Sequence, residues 1–104
     1  MKVTFSSRTS SLGDTMREDI RSRIWFALSP FGPRIEQVTV QIGVVGGTRG
    51  SSQQLCRLSV RMKRLGSFSI ESVEDEMAIA VSRAAERAAK QVQRILDRQR
   101  DETR

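Results

Sequence analysis

Four short runs of this chain alternate apolar and polar side chains one for one, and that pattern restricts the fold more than any other feature. Val3 and Phe5 sit between polar neighbours in Lys2 to Ser6. Val38, Val40 and Ile42 alternate with Thr39 and Gln41. Cys56, Leu58, Val60 and Met62 alternate with Arg57, Ser59, Arg61 and Lys63, and Phe68 and Ile70 alternate with Ser67, Ser69 and Glu71. Successive side chains of a strand point to opposite faces, so each run predicts a strand with one apolar and one polar side. A sheet of such strands needs cover on one face only.

Two segments supply that cover. Met16, Ile20, Ile24, Ala27 and Leu28 recur at helical spacing and predict an amphipathic helix from Thr15 to about Leu28. Asp14 or Thr15 can cap it, Thr15 and Glu18 having capping-box spacing, and Ser29-Pro30-Phe31-Gly32-Pro33 stops it. A second helix begins after Ser72 and Asp75, again at capping spacing. Glu74, Asp75 and Glu76 place negative charge where the helix dipole favours it. This helix runs to about Arg100, with a frayed tail over about 100–104. Arg8 to Gly13 and Gly43 to Gln54 are expected as loops, the latter flexible, and Arg64 to Gly66 as a turn. The order is β-α-β-β-β-α: an α+β two-layer sandwich, a four-stranded mixed sheet with both helices on one face. The first strand-helix-strand unit is expected to be a right-handed crossover with parallel strands. At 104 residues the chain is read as a single domain, 1–104.

Composition narrows the function. With no histidine, His-based catalysis and His-ligated zinc are excluded, and the single cysteine, Cys56, rules out a disulfide framework. No apolar run is long enough to span a membrane, and the first residues lack a signal-peptide core, so a cytoplasmic protein is expected. No metal, cofactor or small-molecule substrate is expected. The net charge is +6 and the pI about 11.0. Only Lys2, Lys63 and Lys90 are lysines, so the charge is mostly arginine, whose planar fork matches phosphate and stacks on bases. A small Arg-rich domain is an electrostatic candidate for nucleic acid.

On the second helix Arg83, Arg87, Lys90, Arg94 and Arg98 fall within roughly 80° of one another at about 100° per residue. The apolar arc of Met77, Val81, Ala84, Ala85, Ala88, Val92 and Ile95 is centred roughly 130° away. Such a stripe can lie beside the groove between two helices and track a phosphate backbone. It can equally be a solvated face whose charges pair, with Glu86 and Asp97 close enough to reach Lys90 and Arg94. The three alanines let the helix approach its neighbour closely.

On the first helix Arg17 and Arg21 form a line that Trp25 continues, with Arg23 on the other flank. Trp25 can stack on a base, or it can cover the core edge or pack under the Pro-rich turn. Arg57, Arg61 and Lys63 share the polar side of the third strand, which lacks the interleaved aromatics of an RNA-recognition sheet. Gly43 to Gly50 fails as a phosphate loop, because no Gly-Lys-Ser/Thr follows and a strand, not a helix, comes next. Arg49 in that loop is a further RNA-contact candidate. Cys56 points with Leu58 and Val60 toward the core, and no carboxylate cluster lies mid-chain, so the chain reads as a non-enzyme.

Several stretches in order carry a resemblance. They are Gly13-Asp14 at the start of the first helix, "FALSPFGPRIEQVTVQI" from Phe26 to Ile42, Arg49-Gly50, Cys56-Arg57, and "RAAERA" from Arg83 to Ala88. With the element order, they make the chain resemble a short form of the ribosome hibernation-promoting factors, also called ribosome-associated inhibitors or sigma-54 modulation proteins. The resemblance implies binding to the small ribosomal subunit in the mRNA and tRNA channel. Basic residues of both helices and nearby strands would grip ribosomal RNA, and translation would be blocked under stress or in stationary phase. A short form lacks the second, dimerising domain, which implies a monomer, with a weak dimer as the alternative. Val44, Gly46, Thr48, Gln53, Gln54 and Ala78 depart from the family pattern. Two rival readings remain open: a diverged protein-interaction module that regulates a protein partner without binding ribosomes, and a stand-alone RNA or DNA binder.

Overall fold

The computed structural model describes residues 1–46 and 52–102. Strand β1 (Lys2–Phe5) leads to helix α1 (Asp14–Leu28) and a 3₁₀ turn (Ser29–Arg34). Strands β2 (Ile35–Gly46), β3 (Ser52–Met62) and β4 (Gly66–Glu74) follow, and helix α2 (Met77–Glu102) ends the fold. The expected β-α-β-β-β-α order holds. The sheet order is β1-β2-β3-β4, with β1 parallel to β2 and the other pairs antiparallel.

The register lays the alternating residues in rows. Phe5, Val40, Leu58 and Ile70 form one row across the sheet, and Val3, Val38, Val60 and Phe68 form the next. Val38, Val40, Leu58 and Val60 are fully buried beneath the helices. From α1 come Ile20, Ile24 and Leu28, and from α2 Ala80, Val81, Ala84, Ala85, Ala88 and Val92. The alanine row lets α2 lie close over β3 and β4.

The strands are longer than the alternation alone predicts. β2 begins at Ile35 because a bulge between Ile35 and Gln37 adds one residue to the strand. Ile35 faces Met62 and Val38 faces Val60, so both are buried although they are three positions apart on β2 and their partners two positions apart on β3. The extra residue interrupts the period of two. The expected Gly43–Gln54 loop is also corrected. Gly43 pairs with Leu55, Val44 with Gln54, Val45 with Gln53 and Gly46 with Ser52, so β2 and β3 continue as a ribbon. Of that loop only 47–51 lie outside the described residues, and Arg49 with them.

Both expected caps are corrected. Gly13 occupies the N-cap of α1, with no side-chain cap bond, and Arg17 N–H donates to the Gly13 carbonyl. Ser72 does not cap α2; it is a buried member of β4, opposite Cys56, and Ala80 N–H donates to the Glu76 carbonyl at the true start of the helix. Sheet pairing of Ser72 and Glu74 with β3 outcompetes the local capping geometry. At the other end α2 continues to Glu102.

Candidate nucleic-acid interface

The helix count fixes how the five cations of α2 sit relative to one another, and packing decides which way they face. Arg83 Nη1 lies 3.2 Å from Glu74 Oε1, and Arg87 Nη1 donates to the Glu71 carbonyl at 3.0 Å. Both partners belong to β4, the edge strand, so the stripe runs along the outer flank of α2. The groove between the helices is on the opposite flank, where Arg23 Nη1 donates to Ser82 Oγ at 3.5 Å. The expected position beside that groove is therefore corrected: α1 occupies one flank of α2 and leaves the other to the stripe.

The stripe divides in two. Its first half is held by β4, and the Arg87 guanidinium covers a carbonyl that the edge strand would otherwise leave unpaired. Its second half is open. Among the described residues Lys90, Arg94 and Arg98 make no ion pair and no side-chain hydrogen bond, and all three are exposed. The expected pairing with Glu86 and Asp97 does not form. Asp97 Oδ1 accepts from Arg100 Nη2 at 2.8 Å and from Gln93 Nε2 at 2.9 Å, and Glu86 makes no ion pair with a described residue.

A second set of cations gathers at this end of the sandwich. The turn Lys63-Arg64-Leu65 joins β3 to β4. Lys63 N–H donates to the Arg34 carbonyl at 3.0 Å, and Arg34 Nη2 donates to Gln99 Oε1 at 2.6 Å. The turn, the 3₁₀ segment and the last turns of α2 are thus tied together. Lys63 and Arg64 are exposed there, at the same end as Arg94 and Arg98. Arg64 has φ of 63°, the left-handed region that costs a side-chain-bearing residue roughly 1–2 kcal/mol. The sequence pattern marks Arg64 only as part of a turn; neither its cation nor that of Arg34 carries a spacing signal. Glycine would fit Arg64's backbone better, so the arginine is kept at a conformational cost.

The remaining candidates are more tightly occupied. Arg21 pairs with Glu18, and Arg23 Nε lies 3.1 Å from Asp19 Oδ2. The Arg17 and Arg21 guanidinium carbons sit 5.1 and 5.4 Å from the Phe5 ring centre, over the β1 side of the sandwich. On the uncovered sheet face Arg57 Nη1 is 3.4 Å from Glu71 Oε1, and Arg61 donates to Gln37 Oε1 at 2.9 Å with Glu36 3.6 Å away. That face is polar and wet, with Ser59 and Ser69 hydrogen-bonded across it. Trp25 is not among the hydrophobics packed against the core; it is 49% exposed, and its neighbour Phe26 is 83% exposed. Cys56 is buried among aliphatic side chains, and burial pushes its thiol up to about 12, so the nucleophilic thiolate is disfavoured. No group of metal-ligating side chains occurs among the described residues.

No family model matches the chain, and no curated protein sequence matches it. Solved structures do. The Protein Y N-terminal domain of Thermus thermophilus matches with a TM-score of 0.66 at 17% identity, covering 89% of this chain and 93% of that one. A ribosomal subunit interface protein from Coxiella burnetii matches with a TM-score of 0.68 at 11% identity, covering 89% and 92%. The chain shares the fold of these two proteins over 89% of its length, which is the fold that the sequence resemblance implied.

Proposed function

We propose that this protein is a non-catalytic RNA-binding translation modulator that docks on the small ribosomal subunit. The observation that carries it is the open half of the α2 stripe, Lys90, Arg94 and Arg98, at the same end as the Lys63-Arg64 turn. Cations without partners in the fold meet phosphate without first breaking an ion pair, and each phosphate neutralised releases condensed counterions. The structural neighbours support a ribosomal target, because one carries the ribosomal subunit interface in its name. Occlusion of the mRNA and tRNA channel under stress or in stationary phase would be the mechanism, the folded domain acting as a plug. Arg17, Arg21, Arg23, Arg57 and Arg61 contribute after exchanging their weak surface partners for phosphate. Arg83 and Arg87 serve β4 first, and Arg49 remains a candidate contact.

The test is co-sedimentation of the purified protein with small ribosomal subunits at rising salt. Binding is expected to fall steeply between low and moderate ionic strength. The triple variant Lys90→Glu, Arg94→Glu, Arg98→Glu should release the protein while leaving its circular dichroism and melting unchanged. Retained binding by the triple variant would overturn the stripe as the contact.

A further inference from the structure

Phe26 sits on the wrong side of α1 for a folding role. The buried line Ile20, Ile24 and Leu28 defines the core face, and at about 100° per residue Phe26 points nearly opposite it. Trp25 projects from the flank between them. Ser22 and Ser29 fall between the two aromatics, and their small side chains leave a notch of about 420 Å³ lined by Glu18, Arg21, Ser22, Trp25, Phe26 and Ser29. Phe26, 83% exposed, gains nothing from the core, and half of Trp25 is exposed beside it.

Resting on the proposed RNA-binding reading, we infer that this notch is a stacking site for one unstacked RNA base, held between the indole of Trp25 and the ring of Phe26. Charge complementarity selects the occupant. The chain carries +6, and the guanidinium groups of Arg17 and Arg21 stand along the same flank of α1 as Trp25, both held over the Phe5 ring. A strand of nucleotides running along that flank meets two oriented cations and then an aromatic face. Glu18 pairs with Arg21, but both side chains are well exposed, and such surface pairs yield readily to a phosphate. Ser29 Oγ donates to the Phe26 carbonyl at 3.3 Å, while the Ser22 hydroxyl has no partner among the described residues and can bond a base edge. Every base has a π-face, so the site tolerates sequence and selects single-stranded or looped RNA over duplex.

The experiment places azidophenylalanine at position 26, sediments the protein with small ribosomal subunits, irradiates, and asks what is joined to it. The affinity of Phe26→Ala is measured in parallel, with Phe26→Tyr as the conservative control. Phe26 contributes nothing to the core, so neither variant should unfold. Expected are a cross-link to a ribosomal RNA nucleotide, a loss of roughly 5- to 100-fold in affinity for Phe26→Ala, and recovery with Phe26→Tyr. Sedimentation with cross-links only to ribosomal protein, or with unchanged affinity in Phe26→Ala, overturns the stacking site and leaves the RNA-binding reading standing. Failure of the unaltered protein to sediment with the subunit overturns both.

Discussion

Helices α1 and α2 both place arginines four residues apart, yet their cations have different fates. On α1, Arg21 and Arg23 find Glu18 and Asp19 on their own helix, and Arg17 and Arg21 settle over Phe5. On α2 the first two cations are taken by β4, and Lys90, Arg94 and Arg98 are left in solvent. Spacing makes a stripe; neighbours decide whether it is free. Asp97, three residues from Arg94, turns to Gln93 and Arg100 instead.

The sharpest way to break that comparison is to reverse the two sets separately. Lys90→Glu, Arg94→Glu and Arg98→Glu together are expected to lower affinity for small ribosomal subunits by on the order of 100-fold or more. Arg17→Glu, Arg21→Glu and Arg23→Glu together should cost about tenfold, because those cations are already engaged. Equal losses in the sedimentation assay would erase the distinction between the helices.

Next comes packing. Ala88→Leu inserts a bulky side chain at a fully buried position on the core face of α2, and should cost about 1–3 kcal/mol in urea unfolding. Ile24→Ala on α1 should cost about 2–5 kcal/mol by opening a cavity. If Ala88→Leu is neutral, α2 does not ride as low as the buried alanine row indicates.

Smaller effects separate the two halves of the stripe. Arg87→Ala should lower stability by about 1 kcal/mol, since it uncovers the Glu71 carbonyl. Arg94→Ala should leave melting unchanged and weaken ribosome binding more than Arg87→Ala does. The smallest effect has opposite signs in two assays. Arg64→Gly should raise stability by up to about 1 kcal/mol by relieving the left-handed backbone, and should weaken binding a few-fold by removing a phosphate contact. Loss of stability would show that Arg64 is held there for the fold.

Much of the sandwich was legible because alternation and helical period are local. Val38-Val40-Ile42 and Cys56-Leu58-Val60-Met62 appear in the sequence with their buried faces already assigned. Element ends were less legible. The β2 bulge hides Ile35, and Ser72 carries a capping signal that pairing with β3 overrides. Within the candidate site, the narrow stripe on α2 was legible and its division was not. Trp25 offered two readings, and Phe26 stood out only as part of a helix-ending phrase.

The sequence by itself determined the order of strands and helices, the apolar face of each, and the angle between core and cations on α2. Those follow from two fixed backbone periods, 2.0 and 3.6 residues. Only the tertiary structure decided which flank of α2 meets β4 and which cations find partners. Partners such as Glu71 for Arg87, Ser82 for Arg23 and Gln99 for Arg34 lie 16, 59 and 65 residues away. No local period carries information across that distance; packing of the two layers does.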